Sequence, residues 1–143
     1  MLEELGDRDL ALQALATAAR DGTSYGAPTP REMKLAEAIA ARVPSCEQVR
    51  LMNSGTEATM DAVRLGRAAA GRDILVKIEG SYHGHHDTVM YSITPSMDSS
   101  GPDARPWSVP FSRGIPAETT DSLRIVPFND PDALEALLTE EEG

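Results

Sequence analysis

The sequence predicts an α/β fold, a mainly parallel sheet flanked by helices, and three observations carry that expectation. Val49–Met52 and Ile74–Ile78 are short apolar runs, and residues 56–70 between them read as a helix. A strand, a helix and a second strand within about thirty residues mark a βαβ unit, hence parallel strands. The runs are apolar nearly throughout rather than alternating, as befits strands buried on both faces. A third run, Leu123–Phe128, passes through Asn129-Asp130-Pro131 into a capped helix over Asp132–Glu142.

Each element follows from local signals. Residues 8–20 are rich in Ala and Leu, and Leu12, Leu15, Ala16 and Ala19 repeat at helical spacing. Gly22 is a suitable stop, and Thr23–Pro28 reads as loop. Thr29-Pro30-Arg31-Glu32 then offers a capping box with proline at the first helical position. Leu35, Ala36, Ile39, Ala40 and Val43 give that helix one apolar face, with Pro44 as its expected end. Gly71 is the expected stop of the 56–70 helix. Residues 92–113 carry Ser, Pro, Asp and Gly without periodicity, and a loop of that length is usually functional or mobile. Trp107 and Phe111 within it are expected to tack the loop to the body. Internal repeats are absent.

Composition narrows the function. A chain of 143 residues can build one real core. Its net charge of −10, from 23 acidic and 13 basic residues, argues against nucleic acid, which needs clustered Lys and Arg. No apolar run approaches the ~18 residues that span a bilayer. The start, Met1-Leu-Glu-Glu-Leu-Gly-Asp, has neither the basic nor the apolar region of a signal peptide. The expectation is a cytoplasmic protein with neither nucleic-acid nor membrane partner. Cys46 is the sole cysteine, which excludes an internal disulfide and a cysteine-rich zinc site; in its loop it reads as a packing residue rather than a thiol nucleophile.

Two segments carry chemistry. Asn53-Ser-Gly-Thr-Glu-Ala-Thr59 lies at a strand-to-helix junction. There the free N–H groups and the positive end of the helix dipole suit a phosphate. Ser54 and Thr56 add hydroxyls, and Gly55 lets the backbone approach a ligand. Taken alone, the same residues also make an ordinary helix cap. Glu79-Gly-Ser-Tyr-His-Gly-His85 follows the next apolar run, at the strand edge where parallel sheets bind ligands. His83, His85 and Asp87 match the opening of an H-x-H-x-D metal motif, but Thr88 stands where a further histidine belongs. His86 is the only other histidine in the chain, so no metal site is expected.

Together these pieces resemble the class III, fold-type I, pyridoxal-phosphate aminotransferases, most of all their glutamate 1-semialdehyde aminomutase branch. The resemblance rests, in order, on Gly22-Thr-Ser-Tyr-Gly-Ala-Pro-Thr29, Val49–Met60, Gly71-Arg-Asp73, Glu79–His85, Gly114-Ile-Pro-Ala117 and Pro127-Phe-Asn-Asp130. It implies that residues 1–21 end an amino-terminal helical segment and that 22–143 form part of the large cofactor-binding domain, with 92–113 an irregular loop. Pyridoxal 5'-phosphate is the implied cofactor, and Ser54, Gly55, Thr56, Tyr82 and His83 are its implied contacts. Tyr82 would stack on the ring; without the motif it would read as a half-buried core tyrosine. The implied activity moves an amino group between adjacent carbons of glutamate 1-semialdehyde, giving 5-aminolevulinate for tetrapyrrole synthesis. The alternatives are transamination of another amine or amino acid, and an inactive remnant. A small amino acid or amine is the implied substrate, and the implied assembly of the whole enzyme is a homodimer, with 22–29 near its interface.

The covalent partner of that cofactor is a lysine, and only Lys34 and Lys77 exist here. Lys34 reads as a surface charge, and Lys77 falls inside a strand where the family carries a non-catalytic lysine. The resemblance places the Schiff-base lysine and the aspartate facing the pyridine nitrogen beyond Gly143. The expectation is therefore an amino-terminal fragment without catalytic residues and, by itself, without activity.

Overall fold

The computed structural model describes residues 2–23 and 25–142; Met1, Ser24 and Gly143 lie outside them, and with Ser24 one position of the Gly22–Thr29 motif. The chain divides into two compact units, Met1–Leu51 and Met52–Gly143.

The first unit holds two helices, α1 over Leu2–Asp21 and α2 over Pro30–Ala40. Helix α1 begins earlier than the apolar spacing over 8–20 indicates, and Leu12 and Leu15 on it are exposed. Gly22, at φ 101°, turns the chain out of α1, a conformation that side-chain-bearing residues resist. The capping box at α2 is complete. The Thr29 Oγ1 accepts from the Glu32 N–H at 3.3 Å, and the Thr29 N–H donates to Glu32 Oε2 at 2.6 Å. The far end departs from expectation, because α2 stops at Ala40, short of Val43 and Pro44. Proline disfavours helical backbone at the residue before it. The chain therefore tightens early, with the Arg42 N–H reaching Ile39 O at 3.0 Å.

The second unit carries the sheet. Helix α3 spans Gly55–Ala70 and ends on Gly71, which is left-handed at φ 62° as expected. Strand β1 is Leu75–Ile78 and β2 is Leu123–Val126. They pair in parallel with Leu75 opposite Leu123 and Ile78 opposite Val126. Helix α4, Pro131–Glu142, follows β2 through Asn129 at φ 56°, and Asp130 Oδ1 accepts from the Ala133 N–H at 3.0 Å to cap it. Strand β2 stops two residues before Phe128 because Pro127 has no N–H to offer a ladder.

The α/β architecture with parallel strands is thus realised, but one expected strand is not. Among the described residues Val49–Met52 does not form a strand, and β1 pairs with β2 instead. A strand exists only through its partner, and four residues interrupted by Arg50 have too little buried surface to recruit one. The parallel connection is therefore the long segment between β1 and β2, not α3.

That segment packs on the sheet rather than hanging free. Val89, Met90, Tyr91 and Ser92 are buried, and Tyr91 joins Leu123 and Ile125 in the core, with Leu75 and Ile115 against them. Ser92, at φ 45°, is fully bonded. Its N–H donates to Val109 O at 2.7 Å and its hydroxyl to Trp107 O at 2.7 Å, while its carbonyl accepts from Gly80 N–H at 2.8 Å. Such a knot holds a non-glycine residue in the left-handed region. The rings of Trp107 and Phe111 do not tack the loop down, since both are more than half exposed. Backbone does it instead: the Phe111 N–H reaches Met90 O at 2.9 Å, and Tyr91 bridges Pro110. The Trp107 indole lies over Gly101, where a Cβ would sit 2.7 Å from the ring.

Lys77 is the anomaly of β1. Its side chain shares a face with Leu75 and is only 3 % exposed, and Nζ donates to Ile78 O at 3.2 Å. Burial lowers its pKa from 10.5, and the nearby Glu79 carboxylate opposes that shift. Below the lowered pKa the fold keeps a charged amine out of water. As pH climbs from there toward 10.5 the unfolded chain binds more protons than the native one, so this residue makes stability rise with pH. The stability gap between the protein and its Lys77→Met variant will therefore vary across that alkaline window, the variant showing the shallower rise in urea unfolding; parallel curves would show an unperturbed amine. Leu123, 2 % exposed at the core centre, will cost about 2–5 kcal/mol on replacement by Ala, measured by the same unfolding experiment.

Candidate functional site

The two chemistry-bearing segments meet at the amino end of α3. Ser54 is the N-cap, extended at φ −150°, and its Oγ accepts from the Glu57 N–H at 3.2 Å. Ser54 O takes the Ala58 N–H at 3.1 Å. The Gly55 and Thr56 N–H groups have no protein acceptor among the described residues, and apart from its chain neighbours and its own helix backbone nothing lies within 4 Å of where a Cβ on Gly55 would stand. Two free amides at the positive end of a 16-residue helix, with open space at Gly55, make a candidate cradle of the kind that suits an anion's oxygens.

Past the end of β1, residues 79–85 turn back over this helix end. Thr56 Oγ1 accepts the His85 N–H at 3.0 Å. The Thr59 hydroxyl donates to the His83 carbonyl at 2.5 Å, with the Gly55 and Thr56 carbonyls each at 3.0 Å. Between them sits buried Gly84 at φ 103°, where a Cβ would be 2.7 Å from Thr56 Cα and 2.9 Å from its Oγ1. Only glycine permits both that dihedral and that approach.

Of the five residues singled out by sequence, Ser54, Gly55 and Thr56 therefore form one turn, and Thr56 ties it to the segment that carries Tyr82 and His83. Tyr82 is 60 % exposed and His83 is exposed, so both side chains are accessible. The Thr56 hydroxyl accepts from His85 and gives its own hydrogen to no described residue, which leaves a donor beside the two free amides. Sequence reasoning missed two contributors. Gly84 lay within a quoted motif, and a lone glycine between histidines signals a close backbone approach. Thr59 closed the other quoted motif, four residues after Gly55 and on the same helix face as the first turn.

Charge around the site is modest. His86 is held below its usual pKa of 6.5 by burial, against the pull of Asp87, and its Nε2 is buried without a hydrogen-bond partner among the described residues, as is Glu79 Oε1. Lys77 points into the core side of the sheet and away from the cradle, while Lys34 belongs to α2 of the first unit. Among the described residues no cluster of three His, Cys, Asp or Glu side chains could hold a metal ion.

The family model "Aminotransferase class-III" matches residues 6–127. Among curated relatives, glutamate-1-semialdehyde 2,1-aminomutase of Leptothrix cholodnii is 46 % identical over 124 residues, 87 % of this chain and 27 % of its own length. The enzyme of the same name from Methanothermobacter thermautotrophicus is 47 % identical over 127 residues, 89 % of this chain and 28 % of its own. Among solved structures, an omega-transaminase from Sphaerobacter thermophilus superposes with a TM-score of 0.80 at 40 % identity, covering 90 % of this chain and 29 % of that one. A structure described as a transaminase with PLP bound gives 0.74 at 40 % identity, covering 90 % and 28 %. The chain thus spans under a third of the length of these relatives. By a match that spans most of its own length, this chain belongs to the class III aminotransferase family.

Proposed function

We propose that residues 52–143 form the phosphate- and ring-contacting part of a pyridoxal-phosphate aminomutase site, the whole enzyme converting glutamate 1-semialdehyde to 5-aminolevulinate. Pyridoxal phosphate is the cofactor of the class III family, and when bound it supplies an electron sink for chemistry at an amino-bearing carbon. The observation that carries the reading is the junction of the two motifs, with the Gly55 and Thr56 amides free and the Thr56 hydroxyl bonded to the His85 N–H. In this reading the two amides and the Thr56 hydroxyl hold the phosphate, Ser54 fixes the turn, Tyr82 covers one ring face and His83 flanks it. The aminomutase is favoured over a transaminase of other amines because the curated relatives at 46 % and 47 % identity carry that name, above the 40 % of the two solved transaminases. A cytoplasmic homodimer of the whole enzyme, acting on a small amino acid, belongs to the same reading. No helix of the described residues is long and apolar enough to cross a membrane.

The lysine that would join the cofactor covalently has no counterpart in Lys34 or Lys77. Residues 1–143 with added pyridoxal phosphate and glutamate 1-semialdehyde, or with other amino donors, will therefore release no product above a cofactor-only blank. Turnover above that blank would mean that an amine of this chain does the work.

Binding tests the site directly. Titrating the chain with pyridoxal phosphate, followed by cofactor absorbance, is expected to saturate. Thr56→Val keeps the shape but removes a hydroxyl that faces a charged phosphate, so affinity should fall by about 1.5–3 kcal/mol, one to two decades. The fold should lose about 1 kcal/mol, because the exposed His85 amide can turn to water and Ser54 still caps α3. An unchanged dissociation constant with a collapsed melting temperature would make Thr56 a structural cap and place the phosphate elsewhere.

A further inference from the structure

We infer that Thr59 is a positioning residue, whose hydroxyl latches the Tyr82–His85 segment to the first turn of α3 and so fixes the spacing between the anion cradle and the aromatic side chain. The inference rests on the reading of this cradle as a cofactor site for what the latch serves, but not for the latch itself.

Three contacts carry it. The Thr59 hydroxyl lies closer to the His83 carbonyl, at 2.5 Å, than to the Gly55 and Thr56 carbonyls of its own helix, both at 3.0 Å. A hydroxyl has one hydrogen to donate, and the shortest contact takes it. A threonine inside a helix ordinarily bonds back to the carbonyl four residues earlier. Here the favoured acceptor is instead 24 residues away, in the segment that carries Tyr82. Thr56 makes the complementary bond, accepting from the His85 N–H at 3.0 Å. The two threonines thus grip both sides of Gly84, which itself leaves no room for a side chain against Thr56.

The consequence is mechanical. Residues 79–85 have few other ties near their tip: Tyr82 and His83 are exposed, and His85 is bonded through Thr56. Without the Thr59 hydroxyl the His83 carbonyl would turn to solvent, and Tyr82, the next residue back, would lose its fixed distance from the Gly55 and Thr56 amides. A ligand held only by its anionic group would not notice. A ligand that spans the anion cradle and the aromatic side chain at once would.

Thr59→Val and Thr59→Ser, made in the full chain, separate these outcomes. In Thr59→Val the His85 amide should exchange at least about tenfold faster by NMR, while Thr59→Ser, which keeps the hydroxyl, should stay near the parent rate. Pyridoxal phosphate affinity should fall about tenfold in Thr59→Val and recover in Thr59→Ser. Inorganic phosphate, followed by the shifts of the Gly55 and Thr56 amides, should bind all three proteins within about twofold. Unchanged His85 exchange in Thr59→Val, or equal weakening of both ligands, would overturn the inference and leave Thr59 a helix residue only. Should no protein bind pyridoxal phosphate while His85 exchange still follows the hydroxyl, the cofactor reading fails and the latch stands.

Discussion

The constraint on which the rest of the second unit depends is the approach of Gly84 to Thr56. A side-chain carbon at residue 84 would stand 2.7 Å from the Thr56 backbone, so the chain leaving β1 can reach the helix end only through a glycine in the left-handed half of the map. The bonds that Thr56 and Thr59 make across this contact have no other geometry in which to form. Because β1 delivers the segment and α3 receives it, the position of the sheet edge relative to the helix amides is settled by one backbone crossing. Neither a large apolar surface nor an ion pair is involved.

The core underneath explains why that crossing holds. Tyr91, Leu123 and Ile125 bury the face of the sheet that Leu75 and Lys77 share. Ser92 fastens the returning chain, bonding Gly80 on one side and Val109 with Trp107 on the other. The irregular stretch after His85 is therefore a structural layer in its first residues and a surface loop only beyond them. Its long exposed members, Met97 among them, add nothing to that layer. The surface ion pairs, such as Arg105 with Glu140 at 2.8 Å, are exposed and contribute little. The half-buried Arg124–Glu141 pair at 2.6 Å does more, tying β2 to the end of α4.

What the sequence disclosed divides along the same physical line. Features governed by neighbours in the chain were legible: the Thr29–Glu32 capping box, the Gly71 stop and the Ser54 turn each depend on residues within four positions. Features governed by distant partners were not. Val49–Met52 has strand composition, but nothing local tells that β1 pairs elsewhere. The rings of Trp107 and Phe111 look like anchors by hydrophobicity, yet buried backbone bonds of the loop made them unnecessary. In the candidate site, the Ser54–Thr56 turn and the Tyr82–His83 pair were singled out by their motifs. The part of Thr59 could not, because a hydroxyl inside a helix shows its acceptor only once the fold brings residue 83 beside it.

The parallel ladder has a kinetic corollary. Leu75 pairs with Leu123, so the sheet closes a loop of 48 residues (123 − 75) before its first rung forms. Closing a loop costs entropy that grows with its length, and nothing repays that cost until distant contacts are made. Tyr91 and Ser92 lie inside that loop, so ordering them against the nascent strands shortens the effective closure. The helices can flicker into place within microseconds on their own. Acquisition of the sheet must await collapse of the chain between its strands, and the helix-end cradle, which leans on the exit of β1, is among the last parts of the molecule to reach its working shape.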